Sequence, residues 1–403
     1  MIRWKRYQLF QTGKRKIVIR DLLKQMNAAN VPLEAATEVV KENVYYPGKR
    51  LETRGIRKLP PKLDSSHPNW KETPCLVNRD HNVLVGGLNQ AKIFTNSVET
   101  KEGLPSQIES LYDADTVDKH IELVQMAFAS ALVYDTTQLR LPVRKDPERP
   151  AWVFPREYGI TDQRKNYVLC NRLIHLCELI AGLDVSQNRY KFEDAYFSLP
   201  LLRDEDVIQS QIRADLLILS KDSLKSLENP EQTLNTELPD ISPMKYTISL
   251  PEENLYELEN IFPLTENASF KHVHTAIIHF NATEVHNLYK TPVLESQTTA
   301  RSLMKAFTIA AAQARYLYGE NVQRLPEPVV VQCIQTDAKY FHFCVFQLNT
   351  LEWSPSNQSV RNIFWSEPVI PAYEFGGYFE GQPTITSFNK EVFKKFLAFY
   401  LHR

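Results

Sequence analysis

Apolar residues recur along this chain with two periods, one close to 3.6 and one of 2, and they divide it into helices and strands. Val117, Ile121, Val124, Phe128 and Leu132 fall at spacings of three and four, which predicts one helix over Val117 to Leu132. Leu169, Leu173, Leu176 and Ile180 repeat that spacing and predict a buried helix over Val168 to Ala181, and Leu88 to Phe94 predicts a shorter one after Gly86-Gly87. Ala300 to Tyr318 is alanine-rich and amphipathic and ends at Gly319, a residue suited to the position just past a helix. A last helix follows Asn389 as cap, with Val392, Phe393, Phe396, Leu397 and Tyr400 as its apolar stripe.

β-Branched and aromatic runs give the strands. Pro328 to Gln335 and Tyr340 to Leu348 flank Thr336-Asp337-Ala338-Lys339 and predict a hairpin, to which Arg361 to Trp365 adds a third strand before a loop at Phe375-Gly376-Gly377. Pairing positions that sum to 675 set Cys333 opposite His342 and leave Cys344 diagonal, so both thiols are expected free. Lys245 to Leu250 and Val273 to Phe280 also read as strands. Between 190 and 290 the pattern is mixed: Ile208, Ile212, Leu216 and Leu219 fit a helix, while Asp194 to Leu202 and Leu216 to Leu219 fit short strands. The expected fold is α+β, a mixed and partly antiparallel sheet flanked by helices. It occupies residues 64–403 as one unit or as two subdomains parting near 225–245.

Charge changes the picture at the amino-terminal end. The net charge of the 403 residues is -1, but residues 1–63 carry fifteen Lys/Arg and five Asp/Glu, so that segment is +10 and the remainder -11. Arg3, Lys5, Arg6, Lys14, Arg15, Lys16 and Arg20 all precede the first acidic residue, Asp21, with Trp4, Tyr7 and Phe10 among them. Three readings fit: a mitochondrial targeting segment, an RNA-binding arm whose cations meet phosphates while the aromatics stack on bases, or a plain solvated terminus. Lys49, Arg50, Arg54, Arg57, Lys58 and Lys62 follow among Pro47, Pro60, Pro61 and Pro68, a composition that predicts an extended basic strap or a linker. A second proline-and-arginine stretch carries Arg140, Arg144, Lys145, Arg149 and Arg156 around Trp152, and is the next candidate for touching RNA or a neighbouring protein.

Reactive constellations are missing from the sequence. It contains no GxxxxGK[ST], no G-x-G-x-x-G opening a helix, no G-x-S-x-G and no HExxH. The nearest to a metal set is His272, His274, His279 and His286 with Glu284, of which His272 and His274 would share one side of a strand while His279 faces away. Cys170 and Cys177, with His175 between them, are too far apart for a finger-type zinc pair. Asp204-Glu205-Asp206 and Glu252-Glu253 read as solvated turn charges. No catalytic residue, cofactor or metal is expected. No segment reaches the roughly 18 apolar residues of a membrane span. Five cysteines without a secretory leader point to a reducing compartment, in which the Asn267, Asn281 and Asn357 sequons have no role.

Four segments carry a family resemblance: 312–319 (AQARYLYG), 328–332 (PVVVQ), 341–350 (FHFCVFQLNT) and 393–402 (FKKFLAFYLH). In order and spacing they resemble the carboxy-terminal region of the mitochondrion-specific large-subunit ribosomal protein family numbered thirty-seven. Weaker likeness runs through His67-Pro68, Cys75, 102–105 (EGLP) and 241–243 (ISP). The resemblance implies a nucleus-encoded, imported structural constituent of the mitochondrial large ribosomal subunit. Its implied partners are the large-subunit rRNA and other mitochondrial ribosomal proteins, among them a paralogue also called programmed cell death protein nine, as a heterodimer. The alternatives are a mitochondrial RNA-binding adaptor outside the ribosome and a metal-dependent hydrolase built on the histidine cluster.

Overall fold

The structure is a computed structural model; it describes residues 74–403 apart from 101–102, 134–138, 141–145, 147, 150, 156–157, 204, 256–257, 283, 288–290, 354–358 and 380–381. Residues Glu72–Arg403 form one compact unit. In chain order its elements begin with β1 (Pro74–Arg79), α1 (Gly87–Thr95), β2 (Ser97–Thr100), α2 (Ser106–Glu109), α3 (Ala114–Lys119) and α4 (Ile121–Val133). A two-residue ribbon, β3 (Leu139–Arg140) with β4 (Tyr158–Gly159), precedes α5 (Asp162–Ala181) and α6 (Leu183–Ser186). The long strands β5 (Arg189–Arg203) and β6 (Asp206–Ser220) follow, then β7 (Glu252–Asn254), β8 (His272–His279) and α7 (Glu295–Tyr318). Last come β9 (Arg324–Thr336), β10 (Tyr340–Thr350), β11 (Asn362–Ser366), β12 (Ile370–Pro371), the hairpin β13 (Phe375–Phe379) and β14 (Gln382–Thr386), and α8 (Lys390–Leu401).

Ten strands make one mixed sheet in the order β2-β11-β10-β9-β8-β6-β1-β7, with β5 on β6 and β12 on β10. Strands β8 and β9 are parallel and joined through α7, whereas β9, β10 and β11 form an antiparallel meander. The expected α+β class is therefore the observed one. Alternation along β10 explains the layering. Phe341, Phe343 and Val345 enter the core beneath α4, α5 and α8, while Cys344, Phe346 and Leu348 enter the opposite core beneath α1 and α7. Both faces are covered, so the central strands read as nearly continuous apolar runs.

Several local expectations are corrected. The helix expected over Val117 to Leu132 is two, because His120 leaves helical geometry (φ -112°, ψ 10°) and turns its imidazole Nδ1 to the Thr116 carbonyl at 2.9 Å. The Asp113 carboxylate caps the first of them, accepting from the Thr116 backbone N–H. Ile208 to Leu219 is wholly strand: a spacing of four satisfies a period of 2 as well as one of 3.6, and 216–219 is buried from both faces. Lys245 to Leu250 is a run of turns with Ser249 at φ 75°, held by the Gln90 amide, which donates to the carbonyls of Tyr246 and Ile248 at 2.9 and 2.6 Å. The Phe375-Gly376-Gly377 segment is strand β13. A Cβ at Gly376 would lie 2.6 Å from Leu132 Cδ1 and 2.8 Å from the Tyr373 ring, so the hairpin can lie on α4 only without a side chain there. In the β9–β10 ladder the paired positions sum to 677, which sets Cys333 directly opposite Cys344 and His342 opposite Gln335. The expected register was two residues short. The five cysteines are buried and free.

Helix α7 is the centre of the body and carries charge into it. Arg301 donates to the Asp80 carbonyl (3.1 Å), the His279 carbonyl (3.2 Å) and Gln335 Oε1 (2.5 Å), which lie at or just beyond the carboxyl ends of β1, β8 and β9. One turn on, Lys305 Nζ lies 2.5 Å from Asp80 Oδ1 and donates to the Arg213 carbonyl at 2.9 Å. Its side chain is 5% exposed. Burial lowers the ammonium to about 8, against the opposing pull of Asp80. Removing one member of such a pair leaves the other charged and desolvated. Asp80→Asn and Lys305→Met should therefore each cost about 3 kcal/mol, while the double variant should cost clearly less than the sum of the two, compared by urea unfolding at pH 7. Additive losses in the double variant would contradict this coupling.

Candidate nucleic-acid interface

The ribbon β3–β4 closes the base of a loop that leaves the body between α4 and α5. Its register pairs Leu139 with Gly159 and Arg140 with Tyr158. Inside the loop the Arg149 N–H donates to the Asp146 carbonyl (3.2 Å) and the Trp152 N–H to the Arg149 carbonyl (3.0 Å), a turn that brings the two side chains together. The Arg149 guanidinium sits 4.7 Å from the centroid of the Trp152 ring. Trp152 is 59% exposed and Tyr158 67%, high values for large aromatics. Of the candidate RNA-contacting residues in this stretch, Arg140 and Arg149 are thus exposed beside aromatics. Arg144, Lys145 and Arg156 lie outside the described residues, as do Arg3, Lys5, Arg6, Lys14, Arg15, Lys16, Arg20, Lys49, Arg50, Arg54, Arg57, Lys58 and Lys62.

Beneath the ribbon lies a cleft of about 540 Å³, bordered by Leu139, Thr161, Arg164, Tyr167, Arg213 and Glu193. Its charges are largely satisfied internally. Arg213 pairs with Asp194 at 3.2 Å, and the Tyr167 hydroxyl donates to Glu193 at 2.7 Å, holding that carboxyl below its usual range. The cleft therefore offers an anion little that the loop above it does not.

The histidines expected as the best metal set do not converge, and among the described residues no group of three His, Cys, Asp or Glu side chains is placed to hold a metal ion. His274 is fully buried and donates from Nε2 to the His402 carbonyl at 2.8 Å, which also accepts from Arg189 at 2.6 Å. It is a clamp between the sheet and the end of α8. His279 is buried beside Asp215 and Arg301, and His286 turns to the Asn287 carbonyl outside. The hydrolase alternative loses its site.

Sequence reasoning overlooked a second buried polar contact on α7, Ser302 Oγ to His342 Nδ1 at 2.9 Å. The signal was Arg301, Ser302 and Lys305 together on one turn of a helix otherwise counted as apolar. Desolvation lowers His342 from 6.5 to about 4. His402, buried near Arg189, is lowered similarly, and Cys170, Cys177 and Cys344 are raised by burial, so these thiols are poor nucleophiles. The arrangement is a packed polar core. Among the described residues no helix is long and apolar enough to cross a membrane.

The body is thus a doubly covered mixed sheet with a buried ionic clamp and an exposed arginine–aromatic pair beside it. The family profile described as mitochondrial 28S ribosomal protein S30 (PDCD9) matches residues 201–403, half of the chain, and the chain belongs to that family. It is similar to large ribosomal subunit protein mL37 of Rattus norvegicus, 29% identical over 354 residues, covering 83% of this chain and 77% of the relative. The mL37 protein of Gallus gallus is 28% identical over 378 residues (90% and 79%), and that of Bos taurus 29% over 366 (86% and 79%).

The buried histidine has a measurable signature. The unfolded chain takes up a proton on His342 near pH 6.5 and the folded one only near 4, so the stability present above 6.5 is lost as pH falls through that window. Between pH 7 and pH 5 the loss from this residue is about 2 kcal/mol. His342→Gln should lose that much less than the wild type over the same interval, read from urea midpoints at the two pH values. Identical pH dependence in the two proteins would show that His342 titrates normally.

Proposed function

We propose that this protein is a structural constituent of the large subunit of the mitochondrial ribosome, in the mitochondrial matrix, and that it supports translation by binding rRNA and neighbouring ribosomal proteins without catalysing a reaction. The observation that carries the reading is likeness to mL37 proteins over more than four-fifths of the chain. Three features support it: the +10 segment 1–63 before a −11 remainder, the arginine–aromatic loop, and the burial of the reactive side chains described above. In this reading residues 1–63 are a basic arm that reaches rRNA phosphates, and any targeting function is confined to its first part. The family paralogue is the protein partner proposed for the body, as a heterodimer.

A tagged chain should co-sediment with the large mitochondrial subunit in sucrose gradients and remain there at moderate salt. Deleting residues 22–63, with residues 1–21 kept for import, should make that association weaker and less steeply salt-dependent, because fewer counterions are released on binding. Recovery of the full chain only in light fractions would contradict the proposal.

A further inference from the structure

The loop between β3 and β4 holds two arginine–aromatic pairs that the body does not use. At its base Arg140 is cross-strand from Tyr158, and within it Arg149 lies over Trp152. Trp152 and Phe154 approach each other at 6.3 Å between centroids, tilted by 51°, and Val153 between them is 92% exposed. The indole is largely exposed yet held in place, because the backbone hydrogen bonds from Arg149 to Asp146 and from Trp152 to Arg149 set Arg149 beside it.

We propose that Trp152 and Arg149 form a contact for single-stranded RNA, with an unpaired base stacked on the indole and the exposed Arg149 and Arg140 meeting the adjoining phosphates. The inference rests on the ribosomal reading and locates one RNA contact within it. Charge selects the partner. Residues 139–159 contain five Lys/Arg and three Asp/Glu, a positive island in a body that is otherwise strongly acidic and repels polyanions. Chemistry selects the form of the RNA. Aromatic faces next to guanidinium groups accept any splayed-out base, whereas the bases of a duplex are stacked on one another and present only backbone and groove edges.

The test uses the full chain and a labelled RNA single strand of about twelve nucleotides, with the same sequence as a duplex for comparison. Trp152→Ala should weaken single-strand binding about tenfold, leave duplex binding and the melting temperature unchanged, and keep the salt slope, since no phosphate contact is removed. Trp152→Phe should restore most of the affinity. Wild-type affinity in Trp152→Ala, or an equal loss for strand and duplex, overturns the proposal; in the first case the indole is a protein contact. If that variant binds RNA normally while the wild-type chain still travels with the large subunit, only this inference falls. Absence of the wild-type chain from that fraction counts against the ribosomal reading itself.

Discussion

The whole body depends on seating one helix, α7, in the sheet without leaving its charges unpaired. Its crossover makes β8 and β9 parallel neighbours, and its small residues, Ala300, Ala306, Ala310, Ala311 and Ala314, let it lie close to the strands. Parallel strands end together, so β8 and β9 present carbonyls at one edge. Arg301 donates there to the His279 carbonyl, to the side-chain oxygen of Gln335 and to the Asp80 carbonyl just past β1, joining the ends of three strands to the second turn of the helix. Lys305 then brings Asp80, and through the backbone of Arg213 the long strand β6, into the same knot. A buried ion pair adds little net stability compared with an apolar substitute, but it penalises every arrangement in which its partners are apart. In this fold it fixes where the helix sits along the sheet.

From that constraint the second layer follows. With α1 and α7 covering one face, the other face of the same strands must be covered as well, and α4, α5 and α8 do so. The end of α8 is tied back by His274 and Arg189, which share the His402 carbonyl, and by Gln332, which donates to the Phe399 carbonyl. Of the histidines that a reader of sequences would assemble into a metal site, His274 is consumed as a buried hydrogen-bonding clamp, while His279 is buried elsewhere beside Asp215 and Arg301. Burial also holds the His274 imidazole well below its ordinary value, because a charge there would be desolvated.

How much of this is legible in the sequence depends on whether a segment is governed by its own period or by a distant partner. Helices α5, α7 and α8 and the β9–β10–β11 meander were readable because one side of each pattern is consistently apolar. The break at His120 was hidden because the apolar stripe continues across it from Val117 to Ile121. The register of Cys333 and Cys344 turns on a two-residue choice in the turn, which alternation alone does not fix. Lys245 to Leu250 has strand composition, but its carbonyls are claimed by Gln90 more than 150 residues away. For the candidate interface, composition marked the stretch from Arg140 to Arg156; only the turn geometry shows Arg149 laid on Trp152. The partners of Arg301 and Lys305 could not be read at all, since each lies far away in sequence, on another strand or, for Asp80, just past one.

The central proposal is a division of labour between a body built on the α7 knot and basic segments to which we assign the nucleic-acid contacts. Ultraviolet cross-linking of intact mitochondrial large subunits, followed by mass spectrometry of the nucleotide-bearing peptides, tests it most directly. The account predicts adducts on peptides from residues 1–63 and 139–159 and none on β8, α7 or β9. Adducts concentrated on the acidic body, with the basic segments unmodified, would contradict it.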